Sequence, residues 1–526
     1  MEWLNVAVLA LYLVGMIAFG VWGARRISNT ADYLVAGRSL GGTLYAGTMV
    51  AVVLGGASAV GGIGLGYAYG ISGFWLVTAI GVGVLVLSLA FAPALQRLRI
   101  FTVSQMLTLR YGTESTQASS LIMLAYTLML AATSSGAYAS VFVVLFGWER
   151  WLSILVGGAV VLIYATVGGM WSITLADMGQ FIIMTIGVFM LMLPISLSQA
   201  GGWSGLQGRL DAEFFDIGGM GLQSIITYFV IYTLGLLIGQ DIWQRVFTAK
   251  TPGVARLGGT AAGVYCILFG VAGAIIGMAA AVLLPGIEVR DDVFASVALE
   301  VLPVGIGGIA LAAGVAAMMS TASGGLIAAA TVVQADVIPL LKGMSEKRGP
   351  RKLTPMEVVK VADASAARAE QAEEDVNINR RWVLIFGVIV LFIAMAVPDV
   401  VAALTIAYDI LVGGLLVAII GGLVWKRGTG AGATWAMITG SVGTLITMGV
   451  LEIRAENRFD GVFANEPIYV GLILSAFVYV AVSLATKPTD PEVLAAWIKR
   501  TKEGAPSLEQ VEEDARGIEE ELLKKV

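Results

Sequence analysis

Apolar stretches of eighteen or more residues recur along nearly the whole chain, and this repetition limits the possible folds more than any motif does. About 20 residues of helix cross a hydrocarbon core of roughly 30 Å, where only helices and closed barrels satisfy every backbone hydrogen bond. Thirteen spans are predicted, at 3–24, 42–67, 72–95, 118–146, 151–170, 173–198, 222–243, 257–284, 298–332, 382–397, 400–425, 430–451 and 467–486. The expected class is an all-α polytopic membrane protein with thirteen transmembrane helices. Composition fits: 58% of residues are hydrophobic, 13% are charged, and the mean hydropathy is +0.86. The first span lacks a basic flank and a small-residue cleavage site, so it reads as a retained helix rather than a signal peptide.

With the N-terminus outside, 27 of the 32 basic residues fall on the inner side. The positive-inside rule thus predicts a multi-pass protein of the cell inner (plasma) membrane with a cytoplasmic C-terminus. The net charge of -5 resides mostly in loops and tail and points to no nucleic-acid partner. One cysteine, Cys266, and no histidine exclude internal disulfides, cysteine metal clusters and imidazole proton relays. Without histidine the chain can form neither HExxH nor a Ser-His-Asp triad, so it is not expected to be an enzyme. The lipid bilayer is the expected surrounding, and no obligate protein partner is inferred.

Glycine and polar residues interrupt two spans. The second reads "GTMVAVVLGGASAVGGIGLGYAYG", with Gly55, Gly56, Gly61 and Gly62 at its middle, and the seventh reads "YFVIYTLGLLIGQDIWQR", with Gly239, Gln240 and Asp241 where apolar residues should continue. Irregular backbone is tolerated at membrane depth only where it lines a cavity or is buried in protein. The breaks lie five spans apart, the interval expected of an inverted repeat whose halves each begin with a discontinuous helix. Ser134 and Ser135 in the fourth span match "MMSTASGG" in the ninth at the same interval, and Asp177 in the sixth matches Asp409 in the eleventh. Small residues at helix crossings are the plainer alternative for the glycines and serines. Domain limits follow: 1–40, an N-terminal extra helix and loop; 41–200, a first five-helix repeat; 201–427, a second, containing a charged connector at 341–381; 428–486, two further helices; and 487–526, a cytoplasmic tail.

A carboxylate at the bilayer centre costs about 2.5–3.5 kcal/mol even on the lenient insertion scale, so Asp177, Asp241 and Asp409 are candidate functional residues. Asp241 stands four residues before Arg245, a spacing that permits an intrahelical ion pair. Asp177 and Asp409 have no basic residue nearby in sequence.

The series "DYLVAGRSLGG", "GQDIWQRVFTAKTP", "MSTASGGLIAAATVVQADVI" and "GGLVWKRGTGAGA", in that order over almost the whole chain, resembles the sodium/solute symporter family. The resemblance implies thirteen helices with the inverted repeat, and a sodium site made of the carbonyls of Ala51 and Leu54 with Ala317, Ser320 and Thr321 opposite. Hard Na+ suits such oxygen ligands, and Ala317, Ser320 and Thr321 share one helix face at i, i+3 and i+4. A second cation site of some members would fall on Asp177 and Ser323, but Gly324 stands where those members have serine. The implied function is a sodium-coupled symporter importing a small organic solute by alternating access. Its solute is expected near Gly55, Gly56, Ser134, Ser135, Gln240, Trp243, Tyr408 and Asp409. The alternatives are a proton-coupled symporter of the same fold and a transporter-like solute sensor.

Overall fold

Glycines set where the long apolar helices turn. The computed structural model describes residues 3–112, 115–339, 356–357, 359–360, 363–364, 375–397, 400–456, 461–462, 464–506, 510–511 and 514; most of the 341–381 connector and the last part of the tail lie outside them. The helices used below are α1 (Trp3–Ala24), α2 (Gly42–Val53), α3 (Gly62–Tyr69), α4 (Trp75–Val86), α5 (Val103–Tyr111), α6 (Thr116–Phe146), α7 (Arg150–Met184), α8 (Leu222–Leu236), α9 (Gln240–Thr248), α10 (Pro252–Leu283), α11 (Ile306–Val332), α12 (Asp375–Ala396), α13 (Val400–Val424), α14 (Gly430–Arg454), α15 (Glu466–Ala485) and α16 (Pro491–Glu503). No strand occurs among the described residues.

Among the described residues, ten helical runs are long and apolar enough to cross a membrane, or eleven if the bent pair α8 and α9 is one span. Two of the runs exceed a single crossing: Ala57–Arg97 has 41 residues and Arg150–Gln199 has 50. At 1.5 Å per residue the second is about 75 Å long, more than twice a hydrocarbon core. Each is interrupted by a glycine in a conformation that side chains avoid, Gly70 at φ 62° and Gly169 at φ 47°. Gly70 lies between the expected spans 42–67 and 72–95, and Gly169 lies just inside the end of the expected span 151–170.

Two boundaries differ from expectation. The ninth span was predicted over 298–332, whereas α11 starts at Ile306, because Pro303 and Gly305 (φ 89°) separate it from the short helical stretch Val293–Val301. The tenth was predicted over 382–397, whereas α12 begins at Asp375; its first two turns, "DVNINRR", are helical but polar and so escape a search for apolar runs.

Burial sorts the helices. In α11 every residue from Ala310 to Val332 is buried, while α1 buries one narrow stripe through Asn5, Leu9, Tyr12, Met16 and Gly20. The Ala, Gly and Ser content of α11 lets α6 and α7 approach closely: a Cβ added at Gly325 would lie 2.9 Å from the Ala131 Cβ. Outside the spans, α16 is amphipathic and turns Val493, Trp497 and Arg500 inward. Its Arg500 donates from Nε and Nη2 to the Leu98 carbonyl, at 3.0 and 2.7 Å, and pairs with Asp363.

Candidate functional site

The first break is a true end of helix. α2 stops at Val53, Leu54 adopts φ -85° and ψ 62°, and helix resumes through a π turn over Ala57–Gly61. The last turn of any helix leaves carbonyls without intrahelical partners, and those of Ala51, Val52 and Leu54 lie at this end. Thr321 of α11 donates its hydroxyl to the Val52 carbonyl at 2.7 Å. The contact needs a glycine opposite, since a Cβ at Gly55 would sit 2.4 Å from the Thr321 Oγ1. The structure therefore brings the break of α2 against the face of α11 that carries Ser320 and Thr321, with Ala317 one turn away.

Beside this contact lies a buried polar knot around Asp177. Ser320 donates to its Oδ1 at 2.6 Å, Thr48 of α2 donates to Oδ2, and Arg245 of α9 reaches the same oxygen at 3.2 Å. Both charged side chains of the pair are fully buried. An ion pair this deep is tolerable only because each charge faces the other and the remaining carboxylate lone pairs are bonded. Ser323 turns back to the Ser320 carbonyl at 3.0 Å. Gly324 leaves the space that Arg245 fills, as a Cβ there would be 3.3 Å from its Nη2.

The sequence suggested that Arg245 serves Asp241; in the structure it serves Asp177. Asp241 instead accepts the Tyr126 hydroxyl at 2.9 Å and lines a small closed cavity between the two breaks. That cavity holds about 20 Å³, room for about one water. Gly55, Gly56, Ser134, Thr321 and Tyr408 also contribute to its wall. The remaining predicted solute residues lie outside the wall. Gln240 clamps the 101–103 segment, accepting from the Val103 N–H at 2.9 Å and donating to the Phe101 carbonyl at 2.8 Å. Trp243 folds back on the second break and donates to the Leu237 carbonyl at 2.7 Å. Ser135 is buried beyond the wall, and Asp409 is fully buried with neither carboxylate oxygen hydrogen-bonded among the described residues. A larger space of about 580 Å³ lies between α16 and Met356, Val359, Lys360 and Asp363, with Trp497 and Arg500 in its wall, and shares no residue with the cavity at the breaks.

Sequence reading missed the roles of Asp241, Tyr126 and Thr48. Asp241 and Arg245 share a helix face, so spacing alone favoured the local pair. Only the position of α7, which carries Asp177, decides the competition. The signal available was the motif itself: an acid at the very break and a base one turn beyond it, in "GQDIWQR".

The sodium/proline symporters of Staphylococcus aureus strains JH9 and NCTC 8325 / PS 47 are each 23% identical over 512 residues, covering 92% of this chain and 93% of theirs. A Na+-coupled sialic acid symporter, solved in a substrate-bound outward-open state, superposes with a TM-score of 0.72 at 17% identity, over 93% of this chain and 98% of that one. That likeness shows a shared fold. Residues 33–362 match the pattern of the Sodium:solute symporter family, and the chain, a multi-pass membrane protein with its broken helices packed against α11, belongs to that family.

Proposed function

We propose that the protein imports a small organic solute together with Na+ by alternating access. The observation that carries this reading is the contact between the end of α2 and the hydroxyl face of α11, with a closed cavity alongside. Na+, as cargo, would take the carbonyls of Ala51 and Leu54 on one side and the Ala317 carbonyl with the Ser320 and Thr321 hydroxyls on the other. Five neutral oxygens replace a hydration shell without holding the ion too tightly to leave. Thr321 also lines the cavity, so ion and solute would share a wall. Asp177 and Ser323 would offer a second cation only if Arg245 withdrew, so we assign one Na+ per cycle.

The same reading divides the long runs at Gly70 and Gly169, which gives thirteen helices with the N-terminus outside. Halves at 41–200 and 201–427 would then each open on a broken helix, the second bent by 46° between α8 and α9. The relatives' printed activity, sodium/proline symport, supports the class of reaction. Uptake into proteoliposomes under an inward Na+ gradient, against equal K+, tests the proposal; equal rates under both gradients would refute it. The unpartnered carboxylate of Asp409 favours proton coupling as a second reading, for which an inward pH gradient without Na+ must drive uptake.

A further inference from the structure

We infer that the solute carries a positively charged nitrogen and that Asp241 is the residue that selects it. The inference rests on reading the closed cavity as the solute site. Asp241 is 1% exposed, lies in the cavity wall at the second break and, among the described residues of that wall, is the one that carries a carboxylate, with no lysine or arginine beside it. Arg245, the base one turn along the same helix, is committed to Asp177 at 3.2 Å. The Asp241 carboxylate accepts from the Tyr126 hydroxyl and from the N–H groups of its own first helical turn, at Asp241 and Ile242, and it feels the charge of Arg245 at longer range, but no ion pair is found for it among the described residues.

With Arg245 held directly by Asp177 and no base in the described wall, a cation entering the cavity would meet a buried carboxylate whose ion-pair position is open. Two observations favour an organic nitrogen cation over a second metal ion. Tyr408 lines the cavity, its ring tilted by 51° to that of Tyr126 at 5.6 Å and edge-on to that of Tyr232 at 5.5 Å, and the face of an aromatic ring attracts diffuse cations. The other wall residues next to Asp241 are mainly apolar, Ile80, Leu130, Ile242 and Leu404 among them, which is a poor shell for a hard ion that wants several oxygens. The inferred geometry places the nitrogen between the Asp241 carboxylate and the Tyr408 ring, with the rest of the solute towards Gly56 and Ser134.

The test is a thermal-shift titration of the purified full-length protein in Na+ buffer with four probes: choline, L-proline, D-glucose and acetate. A ligand that binds the folded state raises the transition in proportion to its affinity. Choline or L-proline is expected to stabilise the wild type, and D-glucose and acetate are not. Asp241→Asn should weaken that binding about a hundredfold, while Asp241→Glu should restore part of it. The stabilisation given by Na+ alone should persist in Asp241→Asn, which shows that this variant is folded and that the carboxylate is not the Na+ ligand. Stabilisation by D-glucose or acetate alone, or a nitrogen probe binding wild type and Asp241→Asn equally, would overturn the inference. Loss of the Na+ response in Asp241→Asn would overturn it in favour of a metal-ion role. Ser134→Leu, which fills the cavity, separates the two levels: a nitrogen probe that still binds this variant and still depends on Asp241 would refute the cavity as the solute site and leave the selection by Asp241 standing.

Discussion

The pair between Asp177 and Arg245 lends itself to a double-mutant test. At 3.2 Å two unit charges attract by about 5 kcal/mol at an effective dielectric near 20, and truncating one partner of a buried pair typically costs about 3–5 kcal/mol because the other charge stays behind. Arg245→Met leaves Asp177 with only the Thr48 and Ser320 hydroxyls, and Asp177→Asn leaves a buried guanidinium without its ion-pair partner, with only the longer-range charge of Asp241. Each single change is expected to lower unfolding stability by about 3–5 kcal/mol. The double change, which buries no net charge, should lose much less than the sum. Unfolding in mixed micelles by rising SDS fraction, followed through the intrinsic fluorescence of the 12 tryptophans, measures all three variants. Losses that add to within about 0.5 kcal/mol would show that the two groups are independent and would refute the knot as described.

Other perturbations read the proposed ion and solute sites. Thr321→Ala removes a proposed ligand and the 2.7 Å bond to Val52, so the half-saturating Na+ concentration should rise about tenfold, equivalent to about 1.4 kcal/mol; an unchanged value would remove Thr321 from the site. Gly55→Ala drives a methyl group to 2.4 Å from the Thr321 Oγ1, so it should cost about 1–3 kcal/mol and abolish uptake, and wild-type transport would contradict the close approach. Asp409→Asn should leave solute affinity unchanged because its carboxylate is not in the cavity wall, and a large loss in equilibrium binding would mean that α13 presents a different face. Na+ should tighten solute binding, and by linkage solute tightens Na+ binding by the same factor, which calorimetric titrations in Na+ and in K+ measure; equal solute affinity in both would show that the two are not coupled.

The spans and their breaks were legible because apolar length and misplaced glycine are local properties. Gly55 and Gly239 marked both discontinuities from sequence alone, and the "MMSTASGG" run marked the helix facing the first of them. The start of α11 was not legible, since the short stretch Val293–Val301 is as apolar as a span and only Pro303 and Gly305 part them. Polar pairing inside the bundle was the least legible. Asp177 and Arg245 are 68 residues apart, so their contact depends on how α7 and α9 are placed around α2, which no local pattern encodes. Gln240 and Trp243 belong to the same lesson: both stand at the break, but a helix has two sides there, and their hydrogen bonds turn them away from the cavity.

The grip of α16 on Leu98 has a practical consequence. Leu98 is followed within a few residues by Phe101 and Val103, whose backbone holds Gln240, and Gln240 is the residue immediately before Asp241 in the cavity wall. The C-terminal helix is therefore two hydrogen-bonded links and two short stretches of chain from the centre of the carrier. An affinity handle or fluorescent protein fused to the tail hangs on that linkage. A preparation purified through such a fusion should be compared with one from which it has been cleaved before any binding constant is assigned to the native chain.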